Sequence, residues 1–253
     1  MSAIRGGDRA VIGVLGGMGP AATADFYAKI VQATPAQRDQ DHPRTLIWSD
    51  PSIPDRTGAL LASGPHPGPQ LAAGARMLER SGADVIAVPC NTAHAFLPEI
   101  RAAVGIPVLD MVLETRNRVW EMLEPGGRAG LLATDGTIRA RLYEEAFAQR
   151  DEPLLVPDAA QQARVMEAIR QVKGDPVSAA AAQTLCAAVA ELAERGAGVV
   201  IAGCTEIPVA LAAAEGLAVP VVDSTEVLAQ AAVQWALTHS SSKQNEEIER
   251  WSA

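Results

Sequence analysis

Cysteine is scarce in this chain, and the few present have no pairing pattern. Cys90, Cys186 and Cys204 are the only three in 253 residues, and no C-x-x-C spacing occurs. An odd, sparse set argues against a disulfide scaffold and against a thiolate zinc site. It fits a reducing, cytoplasmic compartment. A basic block is also missing: the formal net charge is -9, and Lys and Arg nowhere cluster. Nucleic acids and anionic membranes both require a basic face, so neither is an expected partner. No uninterrupted apolar run reaches the ~20 residues of a membrane span. The opening residues are not followed by a signal-peptide core, because the first apolar stretch breaks at Gly16-Gly17. What remains is 48% hydrophobic and 20% charged, an ordinary globular mix of a length that allows one or two domains.

Short apolar runs alternate with longer amphipathic stretches. The runs lie at 10–15, 45–48, 84–88, 107–109, 129–133, 154–156, 198–202 and 219–222. Several are rich in Val, Ile and Leu without alternation, as strands covered on both faces should be. Between them the spacing predicts helices at 20–33, 68–80, 114–123, 138–149, 159–172, 177–195 and 225–237. This alternation predicts an α/β fold with parallel sheets flanked by helices.

The chain also repeats itself. Val85-Ile86-Ala87-Val88-Pro89-Cys90-Asn91-Thr92 resembles Val199-Val200-Ile201-Ala202-Gly203-Cys204-Thr205-Glu206, 114 residues on. Ile106-Pro107-Val108-Leu109-Asp110 resembles Val219-Pro220-Val221-Val222-Asp223, and Gly13-Val14-Leu15 resembles Gly130-Leu131-Leu132, at nearly the same offset. Three matches in order indicate a duplicated unit. The expectation is two pseudo-symmetric domains, 1–111 and 112–223. The last helix, 224–238, would pack back on the first, and 239–253 would form a frayed tail.

Cys90 and Cys204 occupy equivalent places in the repeat, each just past a buried strand and before a helix. Ligands of open α/β sheets bind beyond the carboxyl ends of strands, so facing domains would bring the two thiols to opposite walls of one cleft. A helix N-terminus favours the thiolate, and Asn91, Thr92 and Thr205 supply short polar groups nearby. Cys186, within an Ala-rich helix, reads as a small packed hydrophobe. Two thiols across a cleft suit the inversion of a stereocentre. One takes a proton from a carbon, and the other returns a proton to the opposite face. His94, four residues after Cys90, could form a thiol–imidazole dyad but reads better as a packed helix histidine. Gly16-Gly17-Met18-Gly19-Pro20 loosely fits a dinucleotide loop, yet no acidic residue closes the next strand at the right distance. It reads instead as a tight turn whose backbone donors and Met18 touch a small carboxylate. Thr134, at the equivalent turn of the second half, would line the same cleft. Asp110 and Asp223 read as N-caps.

The segments 13–20, Pro51-Ser52-Ile53-Pro54-Asp55-Arg56-Thr57, Pro89-Cys90-Asn91-Thr92-Ala93-His94 and Gly203-Cys204-Thr205-Glu206-Ile207-Pro208 together resemble the aspartate/glutamate racemase superfamily. Glu206 after the second Cys-Thr, where the glutamate branch has His, points to the aspartate racemase branch. The resemblance implies a racemase without PLP or metal, a small acidic amino acid as substrate, a homodimer, and Cys90 and Cys204 as the acid/base pair. It implies that Arg56 and Lys173 bind substrate carboxylates, a role to which the planar fork of arginine is suited. Ser52 sits in a loop placed to tune specificity. Two alternatives remain open: a maleate-isomerase-like or hydantoin-racemase-like enzyme, and a catalytically silent amino-acid-binding protein.

Overall fold

The structure, a computed structural model, describes residues 9–148, 154–175 and 177–239. Strand β1 (Ile12–Gly16) is buried along its whole length and lies between β2 (Thr45–Ser49) and β3 (Val85–Ala87), all parallel. An all-apolar strand suits this doubly covered position, whereas β2, at the edge, leaves Ile47 and Trp48 exposed. The second sheet sets β5 (Ala197–Gly203) between β4 (Arg128–Ala133) and β6 (Val221–Asp223), again in parallel. The strands expected at 107–109 and 154–156 are each reduced to one bridge, Val108 to Ile86 and Leu155 to Gly130. Pro107 and Pro157 lack the N–H that would extend a ladder. With these bridges included, the two sheets run in the same order, so the repeat in sequence is a repeat in space.

Helices cover both faces of each sheet. In the first, α3 (Gly68–Arg80) and α4 (Leu97–Ala102) pack on one face, α1 (Pro20–Ala33) and α11 (Ser224–Thr238) on the other. In the second, α8 (Ala159–Gly174), α9 (Ala179–Glu194) and α10 (Glu206–Leu211) oppose α5 (Met111–Met122) and α7 (Leu142–Phe147). Two short helices, α2 (Arg56–Leu60) and α6 (Asp135–Arg139), pack on each other between the halves. Gly136 permits that approach: a Cβ there would lie 2.9 Å from Thr57 and Thr92.

The final helix returns to the first sheet, where Leu228, Ala229, Ala232 and Val233 join Ile12, Val14, Phe26 and Ile30 in one core. Lys29 of α1 reinforces the contact, bonding Asp25 at 2.5 Å and Asp223 at 2.6 Å. Asp223 meanwhile caps α11 through the Thr225 and Glu226 N–H groups, and Asp110 caps α5 through that of Leu113. These caps start α5 and α11 earlier than the apolar spacing indicated. His239, expected in the tail, is docked: its carbonyl accepts the Ala10 N–H and its ring stacks on Trp235. The rest of the expected tail lies outside the described residues.

One expected helix is two. The stretch at 138–149 breaks between α6 and α7, where Arg141 takes a left-handed φ of 53° that no helix continues through; Gln149 lies outside the described residues. Periodicity cannot see such a break, since apolar residues on either side still fall on one face.

His94 is a packed residue. Its Nε2 accepts the Met111 N–H at 3.0 Å, so Nδ1 carries the proton and donates to the Cys90 carbonyl at 2.9 Å. Burial holds its pKa below the usual histidine value, keeping it neutral. The ring thus ties the Cys90 turn to the start of α5.

Two predictions concern stability. Gly17 has a φ of +93°, and a Cβ would lie 2.3 Å from the Asp50 nitrogen. Gly17→Ala should therefore cost ~2 kcal/mol or more and lower Tm by several degrees, as read by calorimetry. His94→Gln should cost ~1–3 kcal/mol near pH 7.5 through its lost hydrogen bonds. The unfolded histidine protonates near pH 6.5 while the buried one resists, so the wild type loses this stability as pH falls below that value, by up to ~1.4 kcal/mol per pH unit. The gap between variant and wild type in urea unfolding should therefore narrow from pH 7.5 to 5.5. A constant gap would mean that His94 titrates alike in both states.

Candidate active site

The two repeated strand ends bring Cys90 and Cys204 to one narrow inner cleft. Cys90 follows β3 and precedes a short 3-10 helix (Thr92–Phe96); Cys204 directly follows β5 and precedes α10. Both cysteines are free, and each residue is only 6% exposed. The cleft holds about 20 Å³, room for a single water, and opens toward a chamber of about 220 Å³ walled by the 17–22 turn, Val172 and Val209.

The 17–22 turn is built by Thr23. Its hydroxyl accepts the Gly17 N–H at 2.8 Å and donates to the Gly19 carbonyl at 2.9 Å. One of the backbone donors expected to meet substrate is therefore already committed. Met18 is buried and lines both cleft and chamber.

Arg56 also lines both. It opens α2, whose N-cap is Asp55 accepting the Gly58 N–H at 2.6 Å, so Asp55 serves the helix and forms no ion pair with Arg56. Nη1 donates to the Ile53 and Pro54 carbonyls and Nη2 to that of Met18, while buried Nε has no partner. Three of five donors fix the guanidinium against two loops; the others remain for an anion. Lys173, on α8, faces the cleft from the second half, without a hydrogen-bonded carboxylate among the described residues.

The polar groups beside Cys90 are mostly committed within the protein. Asn91 accepts from the Tyr143 hydroxyl at 2.6 Å and donates to Ser224 at 3.0 Å, and Ser224 donates to the Ala202 carbonyl. This chain joins the turn after β3 to β5 and the start of α11. Burial pushes the Tyr143 phenol well up, so it stays a donor. Thr92, Thr134 and Thr137 hydroxyls form a triangle with sides of 2.9 to 3.0 Å.

Beside Cys204 the chemistry differs. Its thiol donates to Glu206 Oε2 at 3.0 Å, and the Thr205 hydroxyl donates to the same oxygen at 3.2 Å. Burial, then the Glu206 charge, push the Cys204 thiol well up, while Lys173 pulls it back weakly. The helix N-terminus was expected to favour its thiolate; desolvation and a carboxylate in contact outweigh that effect.

Nine of the ten expected site residues line the inner cleft: Cys90 and Cys204 with Met18, Arg56, Asn91, Thr92, Thr134, Lys173 and Thr205. Ser52 does not. It is exposed, and its hydroxyl donates to Asp50 at 2.6 Å. Asp55, Thr57 and Glu206 line the cleft without having been expected there. The signal for Glu206 was present: the repeat aligns it with Thr92, a carboxylate where the first half has a hydroxyl. Among the described residues no group of three His, Cys, Asp or Glu is arranged to hold a metal ion, and no helix is long and apolar enough to cross a membrane.

Known proteins resemble this chain in sequence and fold. A model of the family described as Asp/Glu/Hydantoin racemase matches residues 15–232. The broad specificity amino-acid racemase RacX of Bacillus subtilis is 30% identical over 241 residues, 91% of this chain and all of that one. The Picrophilus torridus aspartate racemase superposes with a TM-score of 0.80 at 31% identity, covering 90% of this chain and 94% of that one. A glutamate racemase from Bacillus anthracis, at 21% identity and a TM-score of 0.62 over 87% of this chain and 79% of its own, shares the fold. The chain belongs to the Asp/Glu/hydantoin racemase family and is an amino-acid racemase.

Proposed function

We propose that this enzyme interconverts L- and D-aspartate, or a related small amino acid, by two-thiol proton transfer without PLP or metal. The observation that carries the reading is the meeting of Cys90 and Cys204, equivalent residues of the two halves, in one cleft with Arg56 and Lys173. One cysteine, as thiolate, takes the α-hydrogen as a proton: the Cα–H bond breaks, an S–H bond forms, and the electron pair passes toward the α-carboxylate. The other, as thiol, gives its proton to the opposite face. The enzyme is left with its two protonation states exchanged. An α-carbon is a weak acid, so the developing charge needs fixed donors in a dry site. Two cations and a cleft of about 20 Å³ that excludes bulk water meet that need. A dicarboxylate also matches two cations in number. The reading includes a homodimer and a cytoplasmic compartment, the latter in keeping with three free cysteines.

One observation favours a wider substrate range. The chamber beyond the cleft has an apolar wall of Met18, Ala21, Ala22, Val172 and Val209 beside the charged Arg56, Lys173 and Glu206, which leaves room for side chains larger than that of aspartate. The similarity to RacX points the same way.

Proton NMR in deuterated water, with a panel of L- and D-amino acids and no added cofactor, tests the reading. Aspartate should lose its α-proton signal and yield its antipode on chiral chromatography. Cys90→Ser and Cys204→Ser should each lower that rate by ~10³-fold or more. Cys186→Ser should change it by ~2-fold at most, since that residue packs on the α8–α9 core. No exchange with any amino acid, both thiols being titratable, would move the assignment to an isomerase or a binding protein. Arg56→Ala should raise KM for dicarboxylates more than for neutral amino acids; equal losses would remove its side-chain role.

A further inference from the structure

The repeat that builds the site is broken at one place that matters. Two residues after each cysteine stand Thr92 in the first half and Glu206 in the second. Thr92 is turned to the hydroxyls of Thr134 and Thr137. Glu206, only 6% exposed, accepts the Cys204 thiol at 3.0 Å and the Thr205 hydroxyl at 3.2 Å on a single oxygen. Its other oxygen lies toward Gly19 on the chamber side, 3.8 Å from where a Cβ would stand.

We infer that Glu206 is a positioning residue that makes the two thiols unequal: when the pair shares one proton, that proton resides on Cys204 and Cys90 carries the thiolate. This deepens the two-thiol reading and rests on it for its catalytic consequence. A carboxylate accepts a hydrogen bond from a thiol but repels a thiolate, so the contact at 3.0 Å favours one protonation state. The other charged or titratable groups facing the site are Asp55 and Arg56 from the α2 end, Cys90 from the first half and Lys173 from α8. Lys173 opposes Glu206, but its pull on Cys204 is the weaker of the two. Asp55 is spent on capping α2. Both cysteine residues are 6% exposed, and the contact with a carboxylate is on the Cys204 side.

The consequence reaches catalysis in a specific way. Racemisation at a single centre has an equilibrium constant of unity, so kcat/KM is equal for the two enantiomers whatever the enzyme does. An unequal pair of thiols therefore shows in KM and kcat separately. The enantiomer whose α-hydrogen faces Cys90 meets the populated form of the free enzyme and has the lower KM and the lower kcat.

The first test needs no substrate. Wild-type protein is treated with limiting iodoacetamide at several pH values, and alkylation of Cys90, Cys204 and Cys186 is followed by peptide mass spectrometry. Cys90 should react on the order of 10-fold faster than Cys204, because the thiolate is the nucleophile. Glu206→Gln should speed Cys204 and close most of that gap, leaving Cys186 unchanged; Glu206→Asp, which keeps the charge, should preserve the order. With active enzyme, Glu206→Gln should also bring the KM ratio of the two enantiomers toward unity. Cys204 reacting as fast as Cys90 in the wild type overturns the proposal without any variant. An unchanged order in folded Glu206→Gln, judged by circular dichroism and Tm, overturns it as well. The expected order with no α-proton exchange would leave the role of Glu206 intact while rejecting the racemase chemistry, so the two can fail separately.

Discussion

Desolvation of two thiols at the ends of parallel strands is the constraint on which the rest of the structure depends. A parallel strand delivers its carboxyl end to one side of the sheet, and a duplicated unit delivers two such ends. Bringing them together closes a gap of about 20 Å³ in which Cys90 and Cys204 are almost fully buried. Burial raises the cost of charge on the Cys204 sulfur, and the polar groups around it bear on how that cost is met. The Asn91–Tyr143–Ser224 chain and the triangle of threonine hydroxyls satisfy the buried polar atoms beside Cys90 without adding charge. Beside Cys204 a carboxylate is in contact, opposed by the Glu206 backbone N–H and, more weakly, by the Lys173 charge.

Arg56 links the site to the frame. Its three bonds to the Ile53, Pro54 and Met18 carbonyls hold two loops of the first half together beside the cleft it lines. A guanidinium already fixed by the backbone loses little rotamer freedom when an anion arrives, and the anion gains an oriented charge. The contact between α2 and α6, possible because Gly136 has no side chain, packs beside Thr57 and Thr92, which line the cleft.

Much of the fold is legible in the sequence because strands covered on both faces leave unbroken apolar runs. Such runs mark β1 and β5, and helical spacing with proline at the first turn marks α1 and α3. The departures have local causes. Pro107 and Pro157 cut two expected strands to single bridges, and a left-handed Arg141 divides one expected helix. The cysteine pair is legible because repetition exposes equivalent positions. Ser52 departs from expectation because proximity in sequence to Arg56 does not fix where a side chain points; a two-residue bond to Asp50 turns it away. Glu206 marks the branch in the sequence, but nothing linear announces its contact with Cys204.

The sequence by itself determined the class of the protein: two parallel sheets, two cysteines in equivalent strand-end positions, and no composition suited to nucleic acid or membrane. Those features follow from local periodicity and repetition, which a linear pattern carries. Only the tertiary structure decided what each cysteine meets. The hydroxyls of Thr134 and Thr137 come to Thr92 across more than forty residues, Ser224 reaches Asn91 across more than a hundred, and Glu206 turns back on its own thiol. Charge and hydrogen-bond partners act through distances of about 3 Å in a medium of low dielectric, and such distances exist only once the chain has packed.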